Sequence, residues 1–412
     1  MTTNHVVVAG AGHAGVQLSD SLRAEGFEGR ITLVDTAVGL PYQRPPLSKD
    51  YLGAAGDPEH LPLRARSFFA DRDVELVEGD PVVSVDRSAR AVTLSRGRVV
   101  HYSALVLATG ARPRRLDVPG VDLAGVCRLR DAADAATVRS ELDQARRVVV
   151  IGAGFIGLEL AAAALDRGLD VTVVELGSRA MGRAVCPQIS AHVRGAHEAR
   201  GVRFEFGRVV TEILGVDGRV HTVVTDDGTR HPADLVVVGV GVLPDDLLAA
   251  QCGLDTNDGI VVDEYLRTTD SHVWAIGDCA RFPSRHTGLA TRLESVQNAV
   301  DHARTLARTL TGHPTEYHHV PWFWSHQGPT KIQIAGIAHT EGPVTVIGDV
   351  DRGKFSILRF QQDTLVCVES VNHPAAHISA RALLAVPGAI DRATLESVDF
   401  DVKRAASIVR QH

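Results

Sequence analysis

Two stretches of this 412-residue chain repeat one pattern, and the repetition constrains the fold more than any other feature of the sequence. The first stretch runs from His5 to Asp35 and the second from Arg147 to Glu175. In both, a short apolar run meets three glycines spaced Gly-x-Gly-x-x-Gly, a helix-forming stretch follows, and a second apolar run ends on an acid. In the first stretch the helix is expected over Val16 to Glu25. This is the pattern of a βαβ unit that binds a dinucleotide. We therefore expect the chain to bind two dinucleotides.

The three glycines of each unit have separate physical tasks. In the first unit, Gly10 makes the tight turn, Gly12 lets the backbone approach a pyrophosphate, and Gly15 lets helix and strand pack closely. The corresponding residues of the second unit are Gly152, Gly154 and Gly157. Each helix N-terminus then offers unpaired N–H groups and a favourable dipole to the phosphates.

The acid at the end of each unit stands at the distance expected for a carboxylate on a ribose hydroxyl. Asp35 lies 20 residues after the last glycine of the first unit, and Glu175 lies 18 residues after that of the second. A carboxylate that accepts the adenosine 2′-hydroxyl repels a 2′-phosphate, so Glu175 predicts NADH over NADPH. Arg179 and Arg183 lie close by in the sequence and would soften that preference.

The composition fits two or three globular domains in the cytoplasm. Hydrophobic residues make up 44% of the chain and the net charge is -7 with both signs well mixed, so neither nucleic acid nor an anionic membrane is indicated as a partner. The apolar run at 148–165 contains three glycines and Glu159 and is short, which argues against a membrane helix. Five scattered cysteines form no CxxC pair and are interpreted as reduced thiols, and the N-terminus has no signal-peptide pattern. No metal site is expected.

A proline-stiffened loop, GLPYQRPPLSKDYL at 39–52, follows the first βαβ unit. Two nucleotide folds in one chain most economically bind one fixed electron carrier and one exchangeable one. The loop stands where a flavin ring would lie, and it holds Arg44 and Lys49 rigid. The alternative interpretation is a solvated loop with surface charges.

The strands that complete the first half end on small residues, and so do those that complete the second. Short strands over 74–107, the last expected as a single run at 98–110, end at Thr109-Gly110, and those of the second half end at Gly239-x-Gly241. A further buried run, 273–277, ends at Asp278, which either accepts a hydroxyl from a sugar chain or caps a helix.

From about residue 320 the pattern changes to alternating strands, followed by an Ala- and Leu-rich helix from Ala375. This predicts a small third domain, an antiparallel sheet with helical cover. Trp322 and Trp324 stand at its entrance, either as core residues or beside a flavin.

Nine motifs in order resemble the FAD-dependent, NADH-utilising ferredoxin reductases of bacterial oxygenase systems, the putidaredoxin reductase and rubredoxin reductase type. They are GAGHAG, PYQRPPLSK, LATG, GAGFIGLE, VVE, VGVGVLP, AIGDCAR, ESVQNA and PWFWS, and they cover essentially the whole chain. Pattern and resemblance together imply an α/β fold with two Rossmann-like domains, as in glutathione reductase, plus a C-terminal α+β domain.

The expected domain boundaries follow the motifs. The FAD-binding domain is expected at 1–114 and 245–320, the NAD-binding domain at 115–244, and the C-terminal domain at 321–412. The resemblance implies that the C-terminal domain completes the flavin pocket and helps form the face on which the ferredoxin docks.

The resemblance also implies roles for single residues. Asp35 is expected on the FAD adenosine ribose, where the family more often has Glu, Asp278 on the ribityl chain, and the Val296 backbone at the pyrimidine end of the ring. The full expected set of cofactor-binding residues is Gly10, Gly12, Gly15, Asp35, Arg44, Lys49, Thr109, Gly110, Arg130, Gly152, Gly154, Phe155, Gly157, Glu159, Glu175, Arg183, Gly241, Asp278, Val296 and Trp324.

Lys49 and Glu159 are the candidate catalytic residues. The resemblance implies that they pair beside the reactive flavin nitrogen, with Glu159 on the first helical turn facing the nicotinamide. A buried cation opposite a developing flavin anion is stabilising, and pairing lessens its desolvation cost. Phe155 stands where the family often has an aromatic ring that moves aside as nicotinamide stacks.

One position departs from the family. The family usually has Ser-Asp-Gln after the paired tryptophans, whereas this chain has Ser325-His326-Gln327. His326 is either a neutral surface change or a change in the charge offered to the electron acceptor.

The predicted reaction transfers a hydride from NADH to FAD and then single electrons to a ferredoxin that serves a haem monooxygenase or a ring-hydroxylating dioxygenase. A disulfide reductase, peroxidase or NADH oxidase of the same fold needs a cysteine beside the flavin, and the loop at 41–44 has none. A redox-sensing protein of the apoptosis-inducing-factor type stays the alternative of a different class. Monomer and dimer remain equally open.

An acidic ferredoxin requires basic residues near the flavin edge. The candidates for docking are Arg64, Arg66, Arg72, Arg292, Arg304 and Arg308.

Overall fold

The computed structural model describes residues 3–52, 62–339, 342–386, 388 and 390–409. Within them the chain forms two compact units, each built from separate pieces of sequence. The first unit holds residues 3–43, 62–112 and 243–323, and the second holds 44–52, 113–242 and 324–409. This division into two units does not test the three domains expected from the motifs, which stay a prediction.

The secondary structure alternates short strands and helices in chain order. The strands are β1 His5–Ala9, β2 Arg30–Val34, β3 Val74–Val77, β4 Val82–Asp86, β5 Ala91–Leu94, β6 Val99–His101, β7 Ala104–Leu107, β8 Ala111–Pro113, β9 Val126–Arg128, β10 Arg147–Ile151, β11 Asp170–Glu175, β12 Arg203–Phe206, β13 Val210–Val216, β14 Arg219–Thr225, β15 Arg230–Pro232, β16 Leu235–Val238, β17 Val242–Pro244, β18 Ile260–Val261, β19 Val273–Ala275, β20 Ala280–Pro283, β21 Ala290–Arg292, β22 Trp322–Gln327, β23 Thr330–Gly336, β24 Val344–Asp349, β25 Lys354–Gln361 and β26 Thr364–Val371. The helices are α1 His13–Ala24, α2 Arg66–Asp71, α3 Ala132–Leu142, α4 Phe155–Asp166, α5 Pro187–Ala199, α6 Leu247–Gln251, α7 Val296–Leu310, α8 Pro374–Leu383, α9 Arg392–Glu396 and α10 Val402–Val409.

A parallel sheet with the order β19-β7-β1-β2-β3 forms the centre of the first unit. Its middle strand β1 is buried on both faces, because Val6, Val7 and Val8 are all 0% exposed. Continuous apolar runs of this kind are what a parallel sheet covered on both faces requires. A three-stranded meander, β4-β5-β6, stands between β3 and β7 in the chain.

The second unit repeats this arrangement. Its parallel sheet has the order β12-β11-β10-β16-β9, and the meander β13-β14-β15 stands between β12 and β16 in the chain. The internal repeat predicted from the two glycine patterns is therefore confirmed. The two sheets differ in the origin of one outermost strand. In the first sheet this strand is β19, from late in the chain, and in the second it is β9, which precedes the βαβ unit.

The C-terminal residues of the second unit form the antiparallel sheet that was predicted, with the order β22-β23-β26-β25-β24. Helix α8 covers it, burying Ala376, Ala380 and Leu383. Helices α9 and α10 were not predicted; Asp391 caps α9 by accepting from the Thr394 N–H over 2.8 Å.

Two predicted boundaries were wrong. The run at 98–110 was expected to be one strand, but it forms β6 and β7 in different sheets. Between them the Ser103 hydroxyl accepts from the N–H groups of Asn4 and His5 over 3.0 and 2.9 Å, which ends the meander and starts β7 beside β1. Helix α1 was expected from Val16 but begins at His13, because Gly12 is its N-cap.

Among the residues that the structure describes, no helix has both the length and the apolar character needed to cross a membrane.

Candidate functional site

The glycine turn of the first unit shows which glycines the fold itself needs. Gly10 has a φ of +114°, and a Cβ there would overlap the carbonyl oxygen of Ala108. A Cβ at Gly15 would overlap the carbonyl of Gly10. Gly12 differs, because nothing lies within 4 Å of where its Cβ would be. The fold does not need glycine at this position, whereas a ligand that approaches the backbone closely does.

In the second glycine turn, the three glycines have the same surroundings as in the first. Gly152, with a φ of +106°, faces the carbonyl of Gly239, and Gly157 faces the carbonyl of Gly152. Gly154 again has nothing within 4 Å of its Cβ position. Neither Gly12 nor Gly154 supplies a side-chain cap to α1 or α4, and helix N-termini of this kind are anion-binding positions. Both turns therefore fit the pyrophosphate of a dinucleotide.

Glu175 is bound to the glycine turn that it follows. Its Oε2 accepts from the Ala153 N–H and its Oε1 from the Gly177 N–H, both over 2.6 Å. The carboxylate thus holds the turn against the end of β11 and keeps further lone pairs for a ribose hydroxyl. In the first unit, Asp35 directly follows Val34, whose carbonyl accepts from the Gly10 N–H over 2.8 Å.

Arg179 is engaged by its own loop. Its guanidinium donates to the carbonyls of Val185 and Gly182 over 2.8 and 2.7 Å. These bonds direct it to backbone oxygens instead of a phosphate. Arg183 is exposed and lies beside Gly241, where a Cβ would stand 3.4 Å from its Nη2.

Lys49 and Glu159 form a buried ion pair in the second unit. Lys49 Nζ lies 2.8 Å from Glu159 Oε2, and the two side chains are 16% and 3% exposed. The predicted pairing is confirmed, and its catalytic role stays a prediction. Glu159 was expected on the first turn of its helix, but α4 begins at Phe155, so Glu159 lies on the second turn.

The Lys49 ammonium has one N–H to spare within the described residues. It donates to the carbonyl of Pro45 over 3.0 Å and to Glu159 over 2.8 Å. An ammonium has three donors, so the third can bind an electronegative ligand atom. A 3-10 turn at Pro45–Ser48 places the lysine, as the three prolines of this loop led us to expect instead of a long helix.

Sequence reasoning missed three polar residues around Glu159. The hydroxyls of Ser48 and Ser325 each donate to the carboxylate over 2.5 Å, and the Gln327 Nε2 donates to Ser325 over 2.7 Å. Ser325 and Gln327 are 0% and 2% exposed, whereas His326 between them is exposed. Polar residues at i and i+2 on the inner face of an otherwise apolar strand were the available signal, because buried polar groups need partners.

The other residues expected at the flavin lie in both units. In the second unit, Arg44 Nη1 donates to the Arg130 carbonyl over 3.1 Å, and Trp324 is half-buried on β22. In the first unit, the Thr109 hydroxyl donates to the Asp245 carbonyl over 2.5 Å. Their contacts with a cofactor stay predictions.

Asp278 and Val296 lie at two short turns of the first unit. Asp278 is in the 3-10 turn Gly277–Cys279, and Val296 is the first residue of α7. The N-cap of α7 is Ser295, which accepts from the Asn298 N–H over 3.0 Å. Asp278 therefore does not cap that helix, and the sugar-hydroxyl interpretation is the one that stays open.

The cysteines are poor nucleophiles. Burial raises the pKa of every one of them, to about 11 for Cys127 and about 12 for Cys186. Thiolates are the reactive form, and a raised pKa keeps these thiols protonated at neutral pH. The remaining members of this set are Cys252, Cys279 and Cys367, and all five are unpaired.

The candidate docking arginines differ in their exposure and in their ion pairs with neighbouring acids. Arg292 is only 11% exposed and is bound to Asp258 and Glu294, which makes it structural. Arg304 and Arg308 lie one turn apart on the exposed face of α7, and Arg304 lies 3.7 Å from the Asp301 carboxylate. The others pair with acids at the surface, namely Arg64 and Arg72 with Asp20 and Arg66 with Glu78.

No group of three or more His, Cys, Asp or Glu side chains within the described part of the chain is arranged to hold a metal ion.

Two protein families match the chain. Residues 4–303 match the family described as pyridine nucleotide-disulphide oxidoreductase, and residues 322–406 match the family described as reductase C-terminal. Together they span both glycine turns and the antiparallel sheet.

Three similar proteins cover nearly the whole length. Rhodocoxin reductase of Rhodococcus erythropolis is 48% identical over 400 residues, which are 97% of this chain and 94% of that protein. The crystal structure of a ferredoxin reductase from Rhodopseudomonas palustris is 46% identical with a TM-score of 0.94, covering 98% and 100%. The covalent complex of putidaredoxin reductase with putidaredoxin is 35% identical with a TM-score of 0.94, covering 100% of both chains.

Proposed function

Because the chain belongs to the pyridine nucleotide-disulphide oxidoreductases and carries their reductase C-terminal domain, we propose that it is an NADH-dependent ferredoxin reductase. Membership makes it an oxidoreductase that uses FAD and a nicotinamide nucleotide. The proposed partner is an iron–sulfur ferredoxin that delivers electrons to an oxygenase, either a haem monooxygenase or a ring-hydroxylating dioxygenase.

The observation that carries this proposal is the buried Lys49–Glu159 pair with its spare N–H. FAD, when bound, supplies the redox chemistry by accepting a hydride from NADH and releasing electrons one at a time. Lys49 would present a fixed positive charge where negative charge develops, and Glu159 holds that charge in place at 2.8 Å.

The two glycine turns support the assignment of two dinucleotides. The turn at Gly12 would hold the FAD pyrophosphate, and the turn at Gly154 would hold that of NADH. Glu175, fixed to its turn by two N–H groups, would accept the adenosine ribose hydroxyl and disfavour a 2′-phosphate.

The cysteines argue against chemistry that proceeds through a thiol. A disulfide reductase or peroxidase of this fold needs a reactive thiolate, and all five thiols here have raised pKa values. Single-electron delivery to a protein partner needs no such group.

The similar proteins support the choice of partner. One is named rhodocoxin reductase, and another was crystallised in a covalent complex with putidaredoxin. We place the protein in the cytoplasm, where unpaired cysteines stay reduced.

The test is an anaerobic titration of the FAD-loaded protein with NADH, followed by cytochrome c reduction with and without each member of a ferredoxin panel. We expect full flavin bleaching by NADH and rapid turnover only when a suitable ferredoxin is present. Slow formation of a stable charge-transfer complex with negligible turnover would instead favour a redox sensor. Equal turnover with and without ferredoxin, with oxygen as acceptor, would favour an NADH oxidase.

A further inference from the structure

The Glu159 carboxylate has more donors than an ion pair with Lys49 requires. Its Oε2 accepts from Lys49 Nζ over 2.8 Å and from Ser48 Oγ over 2.5 Å. Its Oε1 accepts from Ser325 Oγ over 2.5 Å. A carboxylate this deeply buried keeps its charge only if donors replace the water it has lost. Ser325 is the only one of these three donors that comes from the C-terminal sheet.

The Gln327 amide determines which way the Ser325 hydroxyl points. Gln327 Nε2 donates to Ser325 Oγ over 2.7 Å and to the Phe155 carbonyl over 3.2 Å. Ser325 has a single hydrogen. Because its oxygen already accepts from Gln327, that hydrogen is directed to Glu159.

The Phe155 carbonyl, which can only accept, sets the orientation of the Gln327 amide, and His197 lies at the amide's oxygen. His197 Nε2 lies 3.3 Å from Gln327 Oε1. Burial lowers the pKa of His197 to about 4, so its ring is neutral at pH 7 and one nitrogen carries the hydrogen. Its Nδ1 has no partner among the described residues, so the contact with the amide oxygen assigns the hydrogen to Nε2. The imidazole therefore donates, and the two amide N–H groups face Ser325 and Phe155.

The result is a chain of hydrogen bonds that all run in one direction. His197 donates to Gln327, Gln327 to Ser325, and Ser325 to Glu159. Bonds aligned in this way strengthen one another. The last acceptor is the carboxylate that pairs with Lys49.

We infer that Ser325 and Gln327 are positioning residues for the hydride-transfer site, acting through Glu159 on Lys49 and through the Phe155 backbone. This inference rests on the proposed function. Neither side chain has to touch a cofactor. Ser325 holds the Glu159 carboxylate in place, and Gln327 fixes both Ser325 and the residue at which α4 begins.

The test compares three variants with the wild-type protein. Ser325→Ala removes the donor to Glu159. Gln327→Glu keeps the size but replaces the N–H donors with a carboxylate, which draws the Ser325 hydrogen away from Glu159. The matched control is Ser190→Ala, a serine of the same unit that is 2% exposed and donates to the Ala180 carbonyl over 2.6 Å. FAD content and thermal melting establish that each variant folds.

The first readout is the rate of flavin reduction by NADH in an anaerobic stopped-flow instrument. We expect Ser325→Ala to slow the hydride-transfer step about tenfold, and Gln327→Glu to slow it more, because each weakens a hydrogen bond to a charged group. The apparent Kd for NADH should change less than about threefold, because neither residue is expected to bind the nucleotide. Ser190→Ala should match the wild-type rate.

The second readout needs no turnover. The chain has only four lysines, and Lys331, Lys354 and Lys403 are exposed, so they serve as internal references for amine acylation measured by mass spectrometry. Loosening Glu159 weakens the ion pair that holds the Lys49 amine and lets that side chain reach the reagent. Lys49 should therefore be acylated several times faster relative to the three references in Ser325→Ala and Gln327→Glu, but not in Ser190→Ala.

Wild-type reduction rates and unchanged Lys49 labelling in both variants would overturn the inference while leaving the proposed function intact. A wild-type protein whose flavin is not reduced by NADH would overturn the proposed function and this inference with it. If Ser325→Ala does not accumulate, Gln327→Glu carries the test alone.

Discussion

Glu175 shows how one carboxylate can serve both the fold and cofactor choice. It accepts from the N–H groups of Ala153 and Gly177 and stands where an adenosine ribose is expected. Arg179, which was expected to soften the preference for NADH, is engaged by two backbone carbonyls. The preference for NADH should therefore depend on Glu175 without opposition from Arg179.

Replacing Glu175 with Gln should lower kcat/KM for NADH at least about tenfold, because a charged acceptor is lost from the ribose. The same change should lower the melting temperature, since one of two backbone N–H groups loses its acceptor. NADPH should gain less than NADH loses, because Arg179 stays bound to backbone carbonyls and only the exposed Arg183 is left to meet its phosphate. Steady-state reduction of a dye with both nucleotides measures this.

The control for Glu175 is Asp170→Asn, at the exposed opposite end of β11. It should leave both nucleotides unaffected. A wild-type protein that reduces the dye equally well with NADH and NADPH would refute the role given to Glu175.

His302 is a buried group that makes the first unit sensitive to acid. It is 0% exposed, and its Nδ1 accepts from the Gly277 N–H over 3.1 Å, next to Asp278. Burial lowers its pKa to about 3, from 6.5. Because the folded pKa lies below the unfolded one, its contribution to stability is complete above pH 6.5 and is lost as the pH falls towards 3.

His302→Gln should be less stable than the wild type at pH 7.5 but should lose less further stability on acidification. The difference in slope should approach one proton, about 1.4 kcal/mol per pH unit, between pH 6 and 4. Denaturant unfolding and FAD release at several pH values measure it. His101→Gln, at an exposed position, should keep the wild-type slope. Identical slopes for all three proteins would show that His302 is not responsible.

At the scale of elements, the two βαβ units supply a matched pair of sites for substitution. Gly12 and Gly154 have φ values of −73° and −77°, which alanine adopts readily, and neither Cβ position has a neighbour within 4 Å. The glycine in each N-cap thus meets no steric requirement of the fold, so beyond a small loss of helix capping its replacement reports on the ligand.

Gly154→Ala should fold normally, keep its FAD and bind NADH at least about tenfold more weakly, because the added methyl stands between the backbone and the pyrophosphate. Gly12→Ala should fold but lose FAD. Calorimetric titration with NADH and the flavin absorbance of the purified proteins measure the two effects.

The control is Gly195→Ala within α5, which has open space at its Cβ position and should stabilise the protein by up to about 1 kcal/mol. Loss of FAD from Gly154→Ala would reverse the assignment of the two units.

Prediction from sequence succeeded for elements with a strong local pattern. Apolar runs and glycine spacing predicted both parallel sheets, and the alternation after residue 320 predicted the antiparallel sheet. The division of 98–110 into β6 and β7 depended on Ser103 reaching Asn4 and His5, nearly a hundred residues away. The donors on Glu159 were missed for the same reason, because Ser325 stands 166 residues from it and no local pattern records that contact. The Lys49–Glu159 pair was found only because a family resemblance supplied it.

At the scale of the whole molecule, the negative net charge opposes the binding of an acidic partner. The net charge is -7, so an acidic ferredoxin would be repelled by the protein as a whole and must find a local basic surface. Arg304 and Arg308 on the exposed face of α7 are the best candidates, because Arg292 is buried in its own ion pairs.

Arg304→Gln combined with Arg308→Gln should lower kcat/KM for ferredoxin at least about threefold at low salt, with the difference shrinking as salt is added. Flavin reduction by NADH should not change. Ferredoxin-dependent cytochrome c reduction over a range of ionic strength measures this, with the exposed Arg230→Gln as control. Wild-type turnover that is insensitive to ionic strength would rule out an electrostatic docking surface.

The contacts of Glu159 also determine how this protein can be recombined with its relatives. Glu159 lies between residues 113 and 242, but its donors come from the loop at 44–52 and from β22. A chimera that exchanges only 113–242 would move the carboxylate and leave its donors behind. Grafts meant to change nucleotide preference should therefore transfer Ser48, Lys49, Ser325 and Gln327 together with the grafted segment.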